Sequence, residues 1–219
     1  MNKKGVSVLG IAALAVFLFA GLASAETITD DTNDVLHWAW NDNLGTYSWS
    51  HSVTNKPNID IKELSCTTDG QQVILKMKVS GAIEDSENII YGACYNTTDA
   101  MYYATYTNGS GMCMGVPGDY TQISSGNVSS SGDTITATVN TAGTGAKSDF
   151  YGYAYKYTQF GDTSAEWWGD WIPQDTSPWS CDENNGGGDE GSSGGGGIPG
   201  FEIVLLVGAI AIIVALKRR

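Results

Sequence analysis

The sequence predicts an all-β domain: a single antiparallel β-sandwich of about nine or ten strands set between two apolar terminal segments. Three observations carry this. Apolar residues in the middle of the chain recur at every second position, turn-forming clusters punctuate the chain at short intervals, and no segment away from the termini sustains an amphipathic helical pattern.

In chain order, residues 36–40 and 46–50 read as strands around Asn41-Asp42-Asn43, and Ile59 and Ile61 flank Asp60 in a third. Thr68-Asp69-Gly70 turns the chain into the clearest strand, where Val73, Leu75, Met77 and Val79 alternate with Ile74, Lys76, Lys78 and Ser80. A strand with one buried face requires that alternation. Residues 88–95 and 101–107 follow, then the turn Asn108-Gly109-Ser110-Gly111. After Ser131-Gly132-Asp133, Ile135, Ala137 and Val139 alternate with threonines. Tyr151, Tyr153, Tyr155 and Tyr157 line one face of a further strand, with Phe150, Gly152, Ala154 and Lys156 on the other, and residues 166–172 supply the last.

The termini speak to location. Lys3 and Lys4 precede an apolar run over 6–22, and Ala23-Ser24-Ala25 fits a small-residue cleavage site before Glu26, so residues 1–25 read as a secretory signal peptide. At the other end a Gly/Ser/acidic tract over 183–197 forms a flexible linker, with an r.m.s. reach of roughly 20 Å. Ile198-Pro199-Gly200-Phe201-Glu202, an apolar run to Leu216 and Lys217-Arg218-Arg219 complete the chain. The apolar run makes about 24 Å of helix, just enough to span a hydrocarbon core, and its terminal cations favour the cytoplasmic side.

Pro199, Gly200 and Phe201, with the apolar helix and basic tail, resemble the PGF-CTERM sorting signal of archaeal surface proteins. The resemblance covers residues 198–219. It implies that a sorting transpeptidase, an archaeosortase, removes the helix and joins the new C-terminus to a lipid, making the product a lipoprotein; unprocessed, the helix would remain as a transmembrane anchor. Either way, the expected place of residues 26–182 is the extracellular face of the cell membrane.

Composition fits that compartment. Residues 26–197 hold 23 Asp or Glu against six Lys, a net charge of −17. No basic stripe exists to displace phosphate counterions, which argues against a nucleic-acid partner. Cys66, Cys94, Cys113 and Cys181 form no CxxC pair and predict two structural disulfides, with three connectivities open. Asn96, Asn108 and Asn127 begin Asn-x-Ser/Thr sequons open to glycosylation.

A second resemblance rests on Asp30-Asp31-Thr32-Asn33-Asp34-Val35, Pro57-Asn58-Ile59-Asp60-Ile61, and Asp69-Gly70 leading into 73–79. That order is similar to the opening of DOMON-like sandwiches, a group that includes the family-nine carbohydrate-binding modules, over about 50 residues. It implies Greek-key connections and a sugar or haem ligand, with a structural calcium in some members.

Two constellations are candidate sites. Asp30, Asp31 and Asp34 cluster before the first strand and Asp60 follows in a neighbour; hard cations take several such oxygens, so this set predicts a structural calcium, against the plainer reading of turn and capping aspartates. Seven tryptophans fall at the two ends of the domain. Trp38, Trp40, Trp49, Trp167, Trp168 and Trp171 form the expected ligand platform, because flat aromatic faces stack on sugar C–H groups. Adjacent Trp167 and Trp168 must point to opposite faces, so part of the set belongs to the core. Met112-Cys113-Met114 offers three soft sulfurs of the kind that hold Cu(I), and His37 or His51 could join a methionine on haem, but there is no CxxCH.

No GxSxG elbow, HExxH, P-loop or Rossmann glycine pattern is present, and paired carboxylates are too common in so acidic a chain to be informative. The expected function is therefore that of a non-enzymatic surface protein binding glycan or envelope components. The alternative is a structural or adhesive component of the envelope or surface layer, assembling with itself or a partner; a secreted carbohydrate-active hydrolase ranks third. The two leading readings differ on whether the tryptophans are exposed or buried.

Overall fold

The computed structural model describes residues 24–51, 55–117, 126–141, 145–162 and 164–174. Twelve strands run through them: β1 (Ser24–Thr29), β2 (Leu36–Asn41), β3 (Thr46–His51), β4 (Ile61–Asp69), β5 (Gln72–Val79), β6 (Ile89–Thr97), β7 (Ala100–Thr107), β8 (Ser110–Pro117), β9 (Gly126–Ser131), β10 (Thr134–Asn140), β11 (Lys147–Tyr157) and β12 (Trp167–Ile172). They form two antiparallel sheets, a five-stranded one in the order β1-β4-β5-β10-β9 and a seven-stranded one in the order β3-β2-β12-β11-β6-β7-β8. The all-β expectation holds, with more strands than expected.

Alternation makes the core. Val73, Leu75, Met77 and Val79 of β5 are all buried, as are Ile135, Ala137 and Val139 of β10, and they meet Tyr91, Ala93, Tyr102, Ala104 and Ala154 from the other sheet. The β7–β8 turn shows how the local sequence sets register. Asn108 and Gly109 both adopt positive φ (48° and 70°), the geometry of a tight hairpin turn that Asn-Gly accommodates at little steric cost. Gly111 of β8 backs onto Val128 of β9, and Gly126 of β9 onto Cys113 of β8, so this side of the sandwich closes where the two sheets' edges meet.

The cysteine expectation is corrected. Cys66, Cys94 and Cys113 are free and buried. Cys181 lies outside the described residues and could join only one of them, so two disulfides would require a bond among these three. Cys66 and Cys113 belong to the core between the sheets, whereas Cys94 packs on the opposite face of the seven-stranded sheet, which keeps Cys94 from either of them. Burial pushes the thiols up, Cys66 to about 11 and Cys94 and Cys113 to about 12, so all three stay protonated and unreactive near neutrality. Nor do the sulfurs of Met112-Cys113-Met114 converge, since alternation sends Cys113 inward and both methionines to the other face.

Of the sequons, Asn108 is exposed on its turn and Asn127 is exposed on β9, while Asn96 is half-buried in β6 with its Oδ1 enclosed. β1 begins at Ser24, so cleavage after Ala25 would leave residues 26–29 paired with 63–66 of β4. The apolar run over 6–22, the 183–197 linker and the 198–219 segment with Pro199, Gly200 and Phe201 lie outside the described residues. Among the described residues, no helix is long and apolar enough to cross a membrane.

Candidate functional site

The acidic residues converge, though not in the expected set. Asp30 and Asp34 flank the loop after β1, where Asn33 takes a left-handed conformation (φ 67°) that bends the loop back on itself. Carboxylate oxygens of Asp30, Asp34 and Asp170 lie within 4.8 Å of one another. Asp31 is exposed and outside this trio; its main-chain N–H donates to Asp30 Oδ1 at 3.1 Å. Asp60 is only 2% exposed and sits alongside: its Oδ2 accepts the Asn33 N–H at 3.0 Å, while its Oδ1, also enclosed, has no hydrogen-bond partner. The enclosed Oδ2 of Asp30 has none either.

Asp170 is the residue the sequence reading missed. It lies in β12 among Trp168, Trp171 and Ile172, fully buried. Its Oδ2 accepts the Ile61 N–H at 2.5 Å and its Oδ1 the Trp171 N–H at 2.9 Å, so it ties the head of β4 in one sheet to β12 in the other. One signal was available: an aspartate inside an aromatic, apolar strand, where an ionised carboxylate is rarely buried without compensation.

Electrostatics make the cluster an unfilled demand for positive charge. Burial, then the neighbouring Asp34 carboxylate, raises Asp30 to about 7, with smaller contributions from Asp31 and Asp60. Burial also pushes Asp170 well above the usual carboxylate range, and Asp34 and Asp30 add to it. The charged neighbours that shift these two most are acidic. A hard divalent cation fits this donor set. Calcium holds its oxygen ligands at about 2.3–2.6 Å, which places them within about 5 Å of each other, and it favours several carboxylates at once. Asp30, Asp34 and Asp170 would hold it, with the unpartnered Asp60 oxygen beside them.

The tryptophans divide three ways. Trp167 and Trp171 are 1% and 3% exposed, within an aromatic layer on the outer face of the seven-stranded sheet that includes Tyr153, Tyr155 and Tyr157. Trp171 donates its indole N–H to Tyr155 Oη at 2.9 Å, meets that ring edge-on at 5.5 Å, and meets Trp49 edge-on at 5.3 Å. Glycines make room for these rings. A Cβ on Gly92 would overlap the Tyr153 ring, and one on Gly169 would lie 2.8 Å from Trp171 and 3.0 Å from Tyr155. Trp38 and Trp49 are half-buried at the margin of the layer.

Trp168 leaves the platform altogether. It points to the inner face, stacked on His37 (centroids 5.0 Å apart, planes 2° from parallel), with Lys56 Nζ 4.1 Å from its ring centre. Among the described tryptophans only Trp40 is broadly exposed, at 55%, on the β2–β3 hairpin, edge-on to Tyr47 and on the same hairpin as Leu44, which is 65% exposed. Of the six tryptophans, Trp40 is open and Trp38 and Trp49 are half-buried, while Trp167, Trp171 and Trp168 pack against other rings, so part of the set is core as the alternation required. The void between the sheets, lined by Leu75, Met77, Tyr91, Ala104, Ile135 and Ala137, has almost wholly apolar walls and offers no convergent polar groups.

No protein-family model matches the chain, and no curated protein or solved structure matches it either.

Proposed function

We propose that this chain is a non-catalytic structural or adhesive component of the cell envelope, displayed on the outer face of the membrane by its C-terminal segment and stiffened by a calcium ion. The burial of Trp167 and Trp171 carries this reading: the residues best suited to stack on a sugar are spent on holding the sheet's outer face together. The Greek-key reading of the connections draws support from β11, which returns to lie beside β6 after β7 and β8. The cation would join the β1–β2 loop to β12, where the Ile61–Asp170 hydrogen bond already crosses between sheets.

A second reading, a glycan-binding module, keeps one supporting observation: Trp40 and Tyr47 present an open aromatic pair. The purified protein, titrated with a panel of soluble polysaccharides while acrylamide quenches its tryptophan fluorescence, separates the two. We expect most of the emission to be protected and unmoved by any saccharide. Strong quenching together with a saccharide-dependent blue shift would overturn the structural reading in favour of the glycan one.

A further inference from the structure

We propose that β3 is a self-pairing edge, through which two copies of this chain join antiparallel about a two-fold axis at Ser48. The inference rests on the structural reading above and names its partner. Four strands end the two sheets. β8 and β9 close against each other through Gly111, Val128, Gly126 and Cys113. β1 carries Glu26, ion-paired with Lys147, a charged device of the sort that blunts an edge. β3, Thr46-Tyr47-Ser48-Trp49-Ser50-His51, has no acidic residue, lysine, arginine or proline, and among the described residues no strand pairs with its outer side. Alternate residues of such a strand direct their N–H and C=O groups away from β2, ready for another strand.

The occupant follows from the strand's own sequence. Directly opposed residues in an antiparallel pair share a face, so only registers that match parity are allowed. With Ser48 opposite itself, Tyr47 faces Trp49 of the other copy twice, and Thr46 faces Ser50 twice. Aromatic opposes aromatic and hydroxyl opposes hydroxyl, the pairings that favour strand association. The Tyr47–Trp49 pairs would extend the ladder that Trp40–Tyr47 and Trp38–Trp49 already form across β2 and β3. Charge points the same way. A chain of net charge −13 repels its own copy over most of its surface, and β3 itself brings no acidic side chain to the seam. Trp40 and Leu44, exposed on the same hairpin, add apolar surface beside the seam.

The test places like charges on the axis. Sedimentation of the full-length protein in detergent should show concentration-dependent dimers. Ser48→Lys and Ser48→Glu should each weaken association roughly fivefold, and an equimolar mixture of the two should restore it as a heterodimer. Thermal melts of the two variants check that each retains the fold; restoration on mixing shows in addition that both remain competent to pair. A wild-type protein that stays monomeric at every concentration overturns the proposal, as does association that persists undiminished in both variants. A monomer that still cross-links to other envelope proteins on cells would sink self-pairing while leaving the structural reading intact; a monomer that binds saccharide would sink both.

Discussion

The outer face of the seven-stranded sheet and the carboxylates around Asp170 are both built by burial, with opposite results. On the outer face, rings fill each other's space: Trp171 on Tyr155, Tyr157 on Trp167, Tyr153 across Gly92. Within this layer Trp171 donates its indole N–H to Tyr155 Oη, so polar edges as well as ring faces find partners among the aromatics. Around Asp170, burial brings together groups that repel, and oxygens of Asp30 and Asp60 remain enclosed without partners. Apolar groups satisfy each other when water leaves, whereas carboxylates call for a proton or a cation. Of two constellations equally prominent in the sequence, packing therefore consumes one and leaves the other chemically open.

Five measurements break or sharpen that contrast. Trp171→Ala should cost about 3–5 kcal/mol of stability in urea unfolding, as for a large ring removed from a packed layer. A loss near zero would return this face to the role of a ligand platform. Gly92→Ala should cost about 1–3 kcal/mol by forcing the Tyr153 ring off the sheet.

The carboxylates should respond to calcium and pH together. In chelator, Asp30 has a folded pKa of about 7, above its ordinary 3.8, so the folded state holds the extra proton. Stability should then fall as pH rises between those values. Saturating calcium should oppose that trend, stabilising by about 2.7 kcal/mol at one hundred times its Kd. Asp170→Asn should abolish the calcium-dependent rise in Tm, since it removes a ligand charge while leaving an acceptor for the Ile61 N–H. A pH profile that calcium leaves unchanged would count against the site. Smallest of all, Trp40→Ala should shift stability by no more than about 0.5 kcal/mol, because more than half of its surface faces solvent.

Much of the fold could be read in advance, and the misses have physical causes. The alternation in β5, β10 and β11 is legible because one face is apolar and the other is not. β9 escapes notice because Gly, Ser and Asn dominate it, and β8 because its apolar residues Met112, Cys113 and Met114 are consecutive rather than alternating. β1 hides inside a cleavage-site pattern. At the candidate site, Asp30, Asp34 and Asp60 are conspicuous as a local cluster. Asp170 is far away in sequence, and the pairing of β12 with β2, together with the Ile61–Asp170 bond, brings it to them. No local pattern separates exposed Asp31 from its half-buried neighbours, since which way each side chain turns depends on the left-handed Asn33.

The Ile61–Asp170 bond has a mechanical consequence. β12 is the last described strand, so a pull applied at Gln174 enters the described fold at this strand first. Four residues inward the load reaches Asp170, whose grip on Ile61 spans both layers. Such a pull would load this joint together with the β11–β12 pairing, and an ion seated there would act as a rivet whose strength follows the calcium content of the medium.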